Sequence, residues 1–90
     1  MKNILITTAH RGVWFAQVDP STDLSLRTLT GLKKCRMAIY WNTKKGLQEL
    51  AAIGPNSGSK ISVASGIEVI HDVTAIFEVT DEAAKVWLSI

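Results

Sequence analysis

Two short polar stretches carry side chains able to hold an anion. Thr43-Lys44-Lys45-Gly46 places two ammonium groups where a helix is expected to begin, and Gly54-Pro55-Asn56-Ser57-Gly58-Ser59-Lys60 combines glycines, hydroxyls and a lysine. Two lysines in the first turn of a helix oppose its dipole, at about 0.3–1 kcal/mol each, and a bound anion would reverse that sign. The second stretch has the ingredients of a phosphate-cradling loop. It is not a Walker A motif, which needs Gly-Lys-Ser/Thr opening a helix, because Lys60 leads into an extended segment. Tyr40 and Trp41 directly precede the lysine turn. On a strand they point to opposite faces, so that one enters the core while the other can stack on a base or ring. The candidate ligand-binding set is therefore Tyr40, Trp41, Thr43, Lys44, Lys45, Ser57, Ser59 and Lys60.

The usual catalytic constellations are thin. His10 and His71 are isolated and lack the spacing of a metal site. Cys35 has no cysteine partner, and its strand pattern places it on an apolar face with Met37, Ile39 and Trp41, where a thiol is inert. His71 and Asp72 are adjacent and would point apart on a strand. No catalytic residue, metal or cofactor is expected, and the reading is a binding protein rather than an enzyme.

The net charge of +2 is small, but its distribution is uneven. From Lys33 to Lys60 the chain carries six basic residues (Lys33, Lys34, Arg36, Lys44, Lys45, Lys60) and one acid, Glu49. From Ile61 to Ile90 it carries five acids (Glu68, Asp72, Glu78, Asp81, Glu82) and one base, Lys85. This asymmetry suggests an anionic partner for the first segment, or head-to-tail pairing between copies. The low polar content leaves little to cover a small surface, which points to self-association. A dedicated nucleic-acid binder would carry a larger total charge, so nucleic acid ranks below a phosphate-bearing small molecule or a protein partner.

The elements that must position these residues follow from patterning. Asn3–Ala9 and Val13–Val18 read as strands joined by a His10-Arg11-Gly12 turn. Val13–Val18 is apolar on both faces and is expected to be covered on both. Asp19–Asp23 reads as a turn, Leu24–Thr28 as an alternating strand, Thr30–Lys34 as a turn, and Lys34–Trp41 as the clearest strand. Asn42 or Thr43 is expected to cap a helix of about ten residues that buries Leu47, Leu50 and Ala51 and stops at Gly54-Pro55. At about 1.5 Å per residue, that helix would hold the two polar stretches about 15 Å apart. A short strand at Ile67–Ile70 follows. A strand over Asp72–Val79 is expected with Val73, Ala75, Phe77 and Val79 on one face. A Thr80-capped helix is expected to bury Ala83, Trp87 and Ile90. The predicted fold is α+β: a mostly antiparallel sheet of five or six strands, two short helices on one face, in the order β-β-β-β-α-β-β-α, as one small domain spanning residues 1–90.

No apolar run approaches the about 20 residues of a membrane helix, and the single cysteine fits a reducing cytosol. The block RMAIYW, then Thr43-x-Lys45-Gly46-Leu47, then ELAA-x-GP and S-x-SKIS, with HDVTAIFEVTDEAA further on, resembles short uncharacterised proteins encoded by bacteriophages and prophages. That resemblance implies a phage accessory protein in the host cytoplasm. It would bind a host component, or sequester a nucleotide signal used in defence.

Overall fold

The computed structural model describes residues 1–9, 12–41 and 45–90. Six strands and two helices follow one another: β1 (Lys2–Thr8), β2 (Val13–Val18), β3 (Leu29–Tyr40), α1 (Leu47–Ala52), β4 (Lys60–Ile61), β5 (Ser65–Ile70), β6 (Val73–Glu78) and α2 (Asp81–Ser89). The sheet is antiparallel with spatial order β4-β3-β2-β1-β6, and β5 also pairs with β3. The α+β class, the antiparallel sheet and the two short helices agree with the sequence reading.

The central pair β1 and β2 is apolar on both faces, so the sheet separates two cores. Leu5, Val13 and Phe15 point to the side carrying α1 and α2, where they meet Leu50, Ala51, Ala83, Ala84 and Trp87. Ile4, Ile6, Ala16 and Val18 point to the other side, which the first half of β3 and β5 close with Leu29, Leu32, Cys35, Ile67 and Ile70. Val13–Val18 is thus covered on both faces, as expected.

β3 differs most from expectation. Leu24–Thr28 forms turns and bends rather than a strand, and the expected turn at Thr30–Lys34 lies inside a twelve-residue strand. The strand count therefore distributes as β-β-β-α-β-β-β-α. One cause is local. Asp23 Oδ1 accepts hydrogen bonds from the Ser25 N–H (2.9 Å) and hydroxyl (2.6 Å), which folds the segment into an Asx turn. The other is bulging. Gly31 (φ 67°) and Lys34 (φ 49°) adopt left-handed backbone within β3, and each adds a residue to the alternation. Leu29, Leu32 and Cys35 consequently share one core at intervals of three, while Ala38, three further on without a bulge, enters the other. The expected face of Cys35, Met37, Ile39 and Trp41 does not exist: Ile39 is 60% exposed and Trp41 packs on the helix side.

A bulge between Val73 and Ala75 likewise splits the expected face of β6. Val73 enters the second core, Phe77 and Val79 the first, and Ala75 is exposed. In α2, Thr80 caps as expected, its hydroxyl accepting from Ala83 N–H at 3.1 Å. Ala84 joins Ala83 and Trp87 in the core, whereas Ile90 lies beyond the last turn and is 51% exposed. Trp87 stacks on Phe15 at 5.3 Å between ring centroids and donates its indole N–H to the Leu50 carbonyl at 3.0 Å. That bond ties the two helices together.

Candidate functional site

β4 and β5 run consecutively along one edge of β3, pairing first with Tyr40 and Ala38 and then with Cys35, Leu32, Thr30 and Leu29. Ser62 bridges the gap between them. Its N–H donates to the Met37 carbonyl (3.0 Å), and its hydroxyl oxygen accepts from the Met37 N–H (2.8 Å). This return path fixes where the Gly/Ser loop ends: Lys60 lies directly across from Tyr40.

The loop itself is held by Asn56. Ser59 N–H donates to the Asn56 carbonyl at 3.1 Å, and Asn56 Oδ1 accepts from Gly58 N–H and the Ser59 hydroxyl, both at 3.1 Å. Ser57 and Gly58 thereby occupy the two corners of a tight turn, with Ser57 exposed. Gly54 (φ 95°), its N–H donating to the Glu49 carbonyl, ends α1 and sets the direction of the loop.

Between this loop and the end of α2 runs an open groove of about 520 Å³. Pro55, Asn56, Ser57, Ser59, Lys60 and Ile61 line one wall, and Val86 and Ile90 the other. Apolar Pro55, Ile61 and Val86 stand beside the hydroxyls and the Lys60 ammonium, and no acidic side chain lines it. Arg36 borders the same place. The Phe15–Arg36 register puts it on the helix side, where its Nη1 donates to the Ser62 carbonyl (3.0 Å) and its Nη2 to the Ile90 oxygen.

The structure thus gathers Ser57, Ser59 and Lys60 in one groove and sets Tyr40, 53% exposed, across from Lys60. Trp41 is half-buried against the helix-side core, whereas Tyr40 is exposed. Thr43 and Lys44 lie outside the described residues.

Lys45 is exposed just before α1, but the expected helix start is corrected: the N-cap is Gly46, not Asn42 or Thr43. With six residues α1 is about 9 Å long, too short for its dipole to carry an anion site. The second polar stretch ends beside β3, where Lys60 pairs with Tyr40. The candidate set lacked Arg36, Ile61, Val86 and Ile90, although Arg36 stood among the six basic residues of the Lys33–Lys60 segment.

Cys35 is buried, and desolvation pushes its thiol pKa up despite an opposing backbone hydrogen bond at Ile67. His71 is exposed and its Nδ1 lies 3.2 Å from the Thr28 hydroxyl. His10 lies outside the described residues. Among the described residues, no cluster of three or more His, Cys, Asp or Glu could hold a metal ion, and no helix is long and apolar enough to cross a membrane.

No curated protein and no solved structure matches the chain. The family model described as a domain of unknown function, DUF6948, matches residues 1–87, and the chain belongs to that family.

Proposed function

We propose that this chain is a non-enzymatic binding protein whose groove between the Asn56–Ile61 loop and α2 takes a phosphate-bearing small molecule, such as a nucleotide signal. The observation that carries this reading is the placement of Lys60. It lines a groove free of acidic side chains and stands across from the exposed Tyr40. An ammonium group, a hydroxyl at Ser57 and an aromatic ring supply charge, a hydrogen bond and a stacking surface to one ligand. The apolar lining of Pro55, Ile61 and Val86 accommodates a base or sugar edge. With the resemblance to phage proteins, the role is sequestration of such a ligand in a host cell, by a homo-oligomer. Titration calorimetry against linear and cyclic nucleotides tests it. Saturable heat with the native chain, lost in Lys60→Ala, supports the reading. No heat with any nucleotide from a folded chain refutes it.

The second reading is a protein–protein inhibitor or adaptor. It is favoured by exposed apolar side chains on β3, on β5 and in the connection that enters β5: Ile39 (60%), Val69 (45%) and Val63 (83%). Edge strands with exposed apolar residues are templates for partner chains. Capture of one host protein, unaffected by Lys60→Ala but abolished by Val63→Lys, would favour it over the first.

A further inference from the structure

We infer that Ser62 is the positioning residue of this groove: its hydroxyl takes the place of a ladder carbonyl and so fixes how far along β3 Lys60 sits. This rests on reading the groove as a ligand site. β4 holds only Lys60 and Ile61, and so short a ladder does little to specify its own register. Ile61 packs on the helix-side core. That contact tells the two faces of β4 apart, since a slip by one residue would turn Ile61 outward. A slip by two would keep the face and still carry Lys60 away from Tyr40. The bonds of Ser62 to Met37 oppose that second slip.

The Ser62 N–H donates to the Met37 carbonyl at 3.0 Å, as in a regular ladder. The Ser62 carbonyl turns instead to Arg36 Nη1, at 3.0 Å. The hydroxyl oxygen replaces it, accepting from the Met37 N–H at 2.8 Å, while the hydroxyl proton goes to the Val63 carbonyl at 3.0 Å. Every hydrogen-bonding group of Ser62 is thus engaged. The pairing on either side of this point is irregular. Towards Tyr40, Ile39 is an extra residue that β4 does not match. Towards β5, three steps from Ser62 to Ser65 run beside two steps from Met37 to Cys35, and Val63 and Ala64 are exposed. Ser62 and Met37 are therefore the fixed point between two bulges, and Lys60 is placed by its distance from them.

Ser62→Ala and Ser62→Thr in the full chain test this, by nuclear magnetic resonance and by calorimetry with inorganic pyrophosphate and linear and cyclic nucleotides. In Ser62→Ala the Met37 amide is expected to exchange with solvent at least about tenfold faster, and affinity to fall about tenfold. Cross-strand Overhauser contacts between Tyr40 and Lys60 should weaken with it. In a Lys60→Ala background the same substitution is expected to change affinity by less than about twofold, because it acts through that ammonium. Ser62→Thr keeps the hydroxyl and should restore exchange, contacts and affinity together. Intact Tyr40–Lys60 contacts in Ser62→Ala, or full affinity with only a lowered unfolding temperature, would overturn this inference and leave the groove reading standing. No binding of pyrophosphate or any nucleotide to the native chain would overturn both.

Discussion

Tyr40 stands across from Lys60 in the β3–β4 ladder. Such partners have Cβ atoms about 5 Å apart, with side chains on the same face. Tyr40→Ala and Lys60→Ala are each expected to weaken nucleotide binding by about tenfold, and less than additively in combination, because one ligand joins both groups. Both side chains are exposed, so unfolding free energies from urea titration should stay within about 0.5 kcal/mol of the native chain. Calorimetry on the four members of the cycle checks this.

Trp87 is expected to dominate stability. It is fully buried, stacked on Phe15 and bonded to Leu50 of the other helix. Trp87→Ala should cost about 3–5 kcal/mol. Trp87→Phe keeps a ring but leaves the Leu50 carbonyl without its donor, at about 1–3 kcal/mol. Urea unfolding followed by far-ultraviolet circular dichroism separates the two.

Two glycines with left-handed backbone should respond differently to alanine. At Gly54 a Cβ would sit 2.8 Å from Val86 Cβ and 3.3 Å from the Ala83 carbonyl oxygen, so strain and overlap add. At Gly31 a Cβ meets nothing within 4 Å. Gly31→Ala is expected to cost about 1–2 kcal/mol from backbone strain alone, and Gly54→Ala at least about 1 kcal/mol more. Their unfolding temperatures should rank accordingly.

Asp19 and Asp23 each accept a serine hydroxyl and backbone N–H two residues on, which holds both carboxyls below the usual carboxylate pKa. A folded pKa below the unfolded one stabilises the fold above the unfolded value. That contribution disappears as pH falls through the folded value. The native chain should therefore lose more stability than a Ser21→Ala, Ser25→Ala variant between about pH 5 and pH 2. Thermal melts across that range provide the comparison.

Cys35 should resist modification in the folded chain. Burial disfavours its thiolate, and the thiolate is the reactive form. Iodoacetamide is expected to label it slowly in buffer and rapidly in urea, read by mass. Rapid labelling of the native chain would contradict its buried position.

The fold class was legible because its strongest signals are local: two-sided apolar character in β2, Thr80 before an acidic first turn, and Gly54-Pro55 at the end of α1. The course of β3 was not. Gly31 and Lys34 mark left-handed backbone, which in a sequence signals a turn as readily as a bulge, and only pairing with β2 and β5 keeps the strand running through both. Within the site, Ser57, Ser59 and Lys60 were legible as a loop composition. The position of Lys60 opposite Tyr40, and of Arg36 at the groove, depends on which edge β4 joins, and that information is non-local.

β3 seals both sides of the sheet: Leu32 closes one apolar layer and Ala38, six residues later on the same backbone, closes the other. Peeling that strand away would uncap both at once. A half-melted molecule with one layer intact has no obvious way to exist, and loosening at the Tyr40 end would be transmitted along the ribbon to the face that no helix covers.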